Sequence, residues 1–407
     1  MKLLFIGSCS SFFLVPLAKA LKDSNPQLHL GVLDLVNPSG EVQEHELLVF
    51  DEIHHSPKTE ITGSKSSRLL VALRAIIRDQ GLGRLILMVL GGQIKKAVTN
   101  AESQIIELQN REELKHLFSR YDVIQTHYLK ASNLQLAELA PPEKLILSFW
   151  GSDLLQDEGE LARSHKLKIL DSAKAITVQN EDLRQIIAIK YGWDFYQKVQ
   201  CNLFLPNQTI FNQIKQGNRQ DAIKWLRTFG PVDEDAVTVL LGYNSRPAMR
   251  VQETLDFLLN QTEDVITRLH FVFTFSYGKN EQTEREIVAL LQHRNIPFTV
   301  INRYLKDEEM AIFRLSVDVL FQVPHTDAFS TTMIEHLYAG ARVIIGTWLP
   351  YGKLRRTGLT FREIENYQQI PFDFLSNQRL MNNPPLLDQM YEQEQSTQKW
   401  LEIYRSV

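Results

Sequence analysis

The stretch "HTDAFSTTMIEHLYAGARVIIG", His325 to Gly346, carries two acids, Asp327 and Glu335, eight positions apart. The apolar run "VDVLFQV" (Val317 to Val323) precedes it and reads as a buried strand. Next come a polar loop, an apolar half-helix ending at Gly340, and a second short strand, "RVIIG". Strand, loop, helix and strand in this order form one unit of a doubly wound α/β sheet, in which ligands bind at the carboxyl ends of the strands. Asp327 then hangs from a ligand-facing loop. The helix start offers free backbone N–H groups and a partial positive charge, which suits a phosphate. Ser330, Thr331 and Thr332 fit its first turn as caps and hydroxyl donors. Glu335 lies about one turn in, where a carboxylate can accept both hydroxyl protons of a diol. The plainer alternative makes Asp327 a turn cap and Glu335 a solvated helix residue, and the spacing alone does not separate the two.

The same alternation runs through all 407 residues. In the first half, "KLLFIG", "LHLGVLDL", "HELLVFD", "YDVIQTHYL", "KLILSFWGSD" and "AKAITVQN" read as strands, with helix-like sequence such as "FFLVPLAKALK" between them. In the second half, "VTVLLGYN", "HFVFTFSYG", "PFTVINRYL" and "VDVLFQV" are strands that alternate with "RVQETLDFLLNQ", "NEQTEREIVALLQHRN" and "KDEEMAIFRLS", and "RVIIG" closes the series. The chain exceeds one ordinary core and suits two domains of roughly 200 residues each. The joint falls at "RTFGPVDEDAVTV", where Gly230 and Pro231 precede an acidic stretch. This predicts two Rossmann-like domains, 1–230 and 231–385, with an amphipathic helical tail, 386–407. Two such domains facing each other would place ligands in the crevice between them.

Bulk composition excludes other classes. Hydrophobic content of 44% and charged content of 23% are ordinary for a globular protein. A net charge of -4 argues against a nucleic-acid partner. The two cysteines, Cys9 and Cys201, make no disulfide framework and fit a reducing, cytoplasmic compartment. The opening "MKLLFIGSCSSFFLVPLAKAL" lacks the apolar length of a signal peptide and reads better as strand, small-residue turn and helix. His45, His54 and His55 have no metal-ligand spacing.

At the two acids the chain resembles the retaining GT-B glycosyltransferases of group 1, also called family 4. Their signature is E-x7-E followed by an apolar helix, a glycine and a strand. The departure is the first acid, Asp327 in place of Glu, one methylene shorter. "VTVLLGYNSRPAMRVQETLDFL" is similar to the family's first C-terminal strand and glycine turn, at Gly242, with a base opening the next helix. The resemblance implies that Arg250, or Arg246, holds the donor diphosphate, although Tyr243 stands where the family has arginine after the glycine. "INRYLKDEEMAIFRLSVDVLF" is similar to the nucleobase-binding segment, which implies Arg303 and Tyr304 near the base. The match spans Val237 to Gly346 and extends in layout to bacterial surface-polysaccharide transferases. It implies a UDP- or GDP-sugar as donor substrate, a glycan or lipid-linked acceptor bound by the N-terminal domain, and no metal or other cofactor. It also implies Glu335 on the ribose, Asp327 orienting the donor sugar, and backbone amides around Phe329 and Ser330 on the phosphates or sugar.

The N-terminal half matches the family only in architecture. Gly7 stands at the first strand-to-helix turn, beside the donor phosphate or the acceptor by the resemblance, or in a simple tight turn. His127 ends a strand and would line the sugar pocket, unless it is a core histidine. Asp153, in "LSFWGSDL", is a crevice group or a helix cap. Between Lys65 and Lys96 seven bases face one acid, Asp79, among apolar residues, which suits a helix on an anionic membrane or a solvated basic face. Two further readings stay open: a non-catalytic GT-B-like subunit, and a sugar-nucleotide epimerase, for which no second acid–base set is identifiable.

Overall fold

The computed structural model describes residues 1–7, 14–34, 49–55, 110–156, 159–203, 207–275, 280–391 and 393–407. Two parallel sheets organise them. The first holds β1 (Lys2–Gly7), β2 (His29–Asp34), β3 (Glu52–His55), β4 (Val123–His127), β5 (Leu145–Ser148), β6 (Ala175–Val178) and β7 (Val199–Cys201). Their order is β3-β2-β1-β4-β5-β6-β7. The second holds β8 (Val237–Leu241), β9 (Leu269–Thr274), β10 (Phe298–Ile301), β11 (Val319–Gln322), β12 (Arg342–Gly346) and β13 (Arg362–Ile364), in the order β10-β9-β8-β11-β12-β13. Both are doubly wound: the chain steps outward from its first strand, then returns to that strand's other side. The central strands are buried along their whole length, as their unbroken apolar runs require of a sheet covered on both faces.

By their internal contacts the residues form two compact units. One is Met1–Phe149, Glu158–Thr177 and Leu401–Val407; the other is Trp150–Asp157 and Val178–Trp400. In the first, Tyr404 donates its hydroxyl to Gln125 Oε1 at 2.7 Å, and Gln125 donates to Ser148 Oγ at 2.7 Å. The helical tail consists of two helices, Asn383–Met390 and Gln393–Arg405.

Three strand expectations change. The third strand is expected at "HELLVFD", of which 45–48 lie outside the described residues; 49–51 are not in a strand, and β3 follows at Glu52–His55. Asp51 sets that register from the side, because its carboxylate accepts the Leu30 N–H at 2.7 Å and pairs with Lys22. The strands β7 and β13 were not expected. Each is three residues long and lacks an apolar run, so no period-two pattern could report it. The series therefore closes with β13, which pairs with β12 as Ile344 opposite Arg362. The basic segment 65–96 and residues 8–11 lie outside the described residues.

The second sheet is clamped at the start of β11. Asp318, fully buried, receives Arg219 through Nε at 2.7 Å and Nη2 at 2.8 Å. It also accepts from the Thr238 N–H at 3.0 Å and the Thr238 hydroxyl at 2.9 Å. Arg379 lies 3.5 Å away, and its burial lowers its pKa to about 10. Two half-buried cations thus share one buried carboxylate, and removing it leaves both without their counter-charge. Asp318→Ala should lower the unfolding free energy by about 3–5 kcal/mol in urea titrations. A loss below about 1 kcal/mol would show that the arginines repair themselves.

Candidate functional site

The second sheet reverses direction between β8 and β11, so the loops after those strands border the topological switch point, where this class of sheet binds ligands. Three loops meet there. The β8 loop reaches the β11 loop through the His325 N–H, which donates to the Ala248 carbonyl at 2.9 Å. The β12 loop joins them through Trp348, whose Nε1–H donates to the Pro324 carbonyl at 2.8 Å. Below the β11 loop, helix Thr331–Tyr338 is capped by Ser330, whose hydroxyl oxygen accepts the Met333 N–H at 3.2 Å. This cap was expected. Thr331 opens the helix, half-buried.

Asp327 does not hang free over the loop. Its carboxylate accepts from Gln322 Nε2 at 2.7 Å and Tyr351 Oη at 2.8 Å, both on Oδ2. The backbone amides of Ala328 and Phe329 lie near enough to favour its charged form. The Phe329 ring is buried, and its amide, expected to face a ligand, lies beside this carboxylate. Burial raises the Asp327 pKa, and Tyr351, the two amides and Gln322 oppose the rise. One edge of the residue is still exposed.

Glu335 is not a solvated helix residue. It is 4% exposed and paired with the equally buried Arg314, Nε to Oε2 at 2.8 Å. Burial raises its pKa while Arg314 pulls the other way. The pair anchors the helix Thr331–Tyr338 to the helix Asp307–Ser316. Arg314 was not predicted, because it lies on a helix whose polar residues look solvated in sequence.

Of the predicted bases, Arg250 and Arg246 sit on the β8 loop. Arg250 adopts a left-handed backbone, φ 56°, uncommon for a residue with a side chain. Its guanidinium is bound to Glu253 at 2.7–2.8 Å and lies 5.4 Å from the Trp348 ring centroid and 5.1 Å from that of Tyr367. Arg246 is exposed and has no ion pair among the described residues. Gly242 makes the turn that leads to both, with φ 66°, and donates its N–H to Phe321 O at 2.9 Å. Arg303 is held by Glu309 through both terminal nitrogens and covers the Phe229 ring at 5.2 Å. That pairing, first among several causes, drops Glu309 to about 2. Tyr304 beside it is 60% exposed. In the same unit, Gly151 (φ 133°) lies so close to Ala328 that a Cβ would stand 2.3 Å from the Ala328 methyl. Asp153, the second residue of the short helix Ser152–Leu155, accepts from Trp150 N at 3.0 Å and Gly151 N at 2.8 Å and so ties the turn to the helix, whose N-cap is Gly151.

In the other unit, Gly7 and His127 end the neighbouring strands β1 and β4. A Cβ on Gly7 would stand 2.7 Å from Leu14 Cδ1 and 3.7 Å from His127 Cβ. His127 is 2% exposed, edge-on to the Phe5 ring at 5.4 Å, and burial lowers its pKa to about 3. It is a neutral imidazole at physiological pH.

No family model matches the chain, and no curated protein matches it. Solved structures do. Sucrose-phosphate synthase from Thermosynechococcus elongatus aligns with 100% of this chain and 98% of its own, at TM-score 0.66 and 12% identity. Anabaena HepE, in complex with UDP and glucose, aligns over all of both chains at TM-score 0.68 and 9% identity. A glycosyltransferase from Rickettsia africae aligns over 99% of this chain and 97% of its own, at TM-score 0.65 and 12% identity. The fold is GT-B, with an α/β architecture of two Rossmann-like parallel sheets.

The buried histidine gives a pH signature. An ordinary histidine titrates near 6.5, so between about 6.5 and 3 the unfolded chain binds a proton that folded His127 refuses. Stability is then complete above that window and falls as pH drops through it, by about 1.4 kcal/mol per pH unit. His127→Asn should flatten the slope of unfolding free energy against pH by about that amount near pH 5. An unchanged slope would mean that His127 titrates normally in the folded protein.

Proposed function

We propose that the chain is a glycosyltransferase that moves a sugar from a nucleotide-sugar donor to a hydroxyl of a glycan or lipid-linked acceptor. One observation carries the reading: the β8, β11 and β12 loops converge at the switch point of a GT-B sheet, in a chain that aligns end to end with HepE in complex with UDP and glucose. A trehalose-phosphate synthase from Burkholderia vietnamiensis, described as UDP-forming, aligns over the whole of both chains as well, at TM-score 0.58.

The roles follow from what each group has left to offer. Arg246, exposed at the end of β8, meets the donor diphosphate. With the capped helix start at Ser330 and Thr331, it supplies fixed positive charge as the diphosphate leaves. That charge is the reason to propose a reaction without a metal. Arg314 opposes the burial of Glu335, favouring the anion that a ribose diol requires. Asp327 acts by shaping the loop, and its exposed edge is what it can offer to the sugar. His127, neutral, contributes a polar wall and no general acid at physiological pH. Within this reading we place retention of configuration, a hexosyl donor with UDP or GDP, and a role in surface-polysaccharide synthesis. Contact with the inner face of a membrane would fall to 65–96. No helix among the described residues is long and apolar enough to cross a membrane.

A second reading, a non-catalytic GT-B-like subunit, draws on two observations. Asp327 is engaged by Gln322 and Tyr351, and Arg250 by Glu253. Nucleotide binding separates the two. In a thermal-shift panel of UDP, GDP, dTDP, ADP and CMP, one nucleotide should stabilise the protein, by about 2.7 kcal/mol at a hundredfold excess over Kd. Arg246→Ala should weaken that nucleotide about tenfold or more without lowering the melting temperature of the free protein. Folded protein that responds to none of the five would sink the transferase reading and favour the subunit.

A further inference from the structure

Trp348 is an exposed aromatic side chain held in a built position. It is 39% exposed and stands at the tip of a tight turn closed by the Leu349 N–H on the Gly346 carbonyl at 3.1 Å. The turn is pinned on both sides. Thr347 N donates to Ile364 O at 3.0 Å, while Leu349 and Tyr351 are buried. The indole cannot swing freely either, because its N–H is bound to the Pro324 carbonyl across the sheet edge. Below it, Gly346 has no left-handed backbone to explain it. A Cβ there would stand 2.4 Å from the indole ring, so the glycine is needed because the ring lies on it. On the near side, Arg250 brings its guanidinium to 5.4 Å from the indole centroid, from a left-handed backbone that side chains rarely adopt. A strained arginine, a glycine and an exposed tryptophan are thus adjusted to one another at the mouth of the switch point. Strain of this kind collects where a ligand is gripped.

We infer that Trp348 is the platform against which the transferred sugar of the donor lies, its apolar C–H groups on the part of the indole that Gly346 and Arg250 leave exposed. This rests on the donor-site reading above. Sheet order assigns the sugar rather than the base. The exposed Tyr304 follows β10, the diphosphate-facing Arg246 follows β8, and Trp348 follows β12. From β10 to β12 is four strand spacings, about 19 Å, the span of an extended nucleotide-sugar. A donor whose diphosphate crosses β8 and β11 with its base toward β10 puts its sugar over β12. An indole face also suits a hexose, whose axial C–H bonds carry partial positive charge against the negative face of the ring. The hydroxyls are left to Arg250 and to the loop around Asp327.

Calorimetric titration of UDP and UDP-glucose tests this, on wild type, Trp348→Ala, Trp348→Phe and Gly346→Ala. Trp348 is exposed, so its variants should fold, and UDP binding is the internal control. We expect Trp348→Ala to weaken UDP-glucose about tenfold and leave UDP within twofold of wild type. Trp348→Phe should recover part of the loss. Gly346→Ala, which displaces the indole, should also weaken the sugar conjugate selectively. If Trp348→Ala weakens UDP and UDP-glucose equally, or neither, the platform assignment is overturned while the donor reading stands. Wild type that binds neither UDP nor UDP-glucose overturns both for this donor class.

Discussion

The site depends on the pairing of β8 with β11, and that pairing is fixed by the carboxylate of Asp318. Its backbone N–H donates to Thr238 O at 3.0 Å, and its side chain takes the N–H and hydroxyl of the same threonine. The two strands are thereby locked as Val319 opposite Val239. A slip of one residue would turn every side chain of β11 to the other face of the sheet and carry the β11 loop away from the β8 loop. Two half-buried arginines hold the buried carboxylate in place, and without it both would lose their counter-charge. The charges lie at the amino end of β11, four residues of strand away from the loops that they position.

At the carboxyl end the same economy recurs with different groups. Asp327, Glu335 and Arg250 are the charged residues that the sequence marks most clearly, and each is engaged by the protein itself. The engagement organises rather than neutralises. Asp327 holds the loop through Gln322 and Tyr351, and Arg314 ties Glu335 to a neighbouring helix so that the helix start has one orientation. A preorganised site needs its first polar groups held by a second layer, since donors that must reorganise at the moment of reaction lose their advantage. The exposed groups Arg246, Trp348 and Tyr304 follow β8, β12 and β10 at the same edge of the sheet.

The fold was legible because a covered parallel sheet writes each strand as an apolar run and each turn as a break. Every long run predicted, from "KLLFIG" to "RVIIG", proved to be a strand where it is described, "HELLVFD" excepted. The short edge strands β7 and β13 were illegible, since three residues at an edge need no pattern. The site was half legible. Position along the chain told that Asp327, Arg250 and Gly242 belong to one sheet edge, and Ser330 could be recognised as a cap. Burial and partner were hidden. Nothing in "AIFRLS" reports that Arg314 turns inward to Glu335, and nothing in "LPYG" reports that Tyr351 reaches back to Asp327, because both contacts join elements that the sequence separates by about twenty residues.

An aspartate at position 327 fits these contacts. A glutamate there would carry its carboxylate one methylene beyond the position where Gln322 and the buried Tyr351 hydroxyl now hold it. The short acid and the tyrosine therefore form one unit. Their shared bond also orients the segment Gly346 to Tyr351, at whose tip the indole of Trp348 stands. Through Gln322 and Tyr351, Asp327 ties the β11 loop to the strand below it and to the segment after β12.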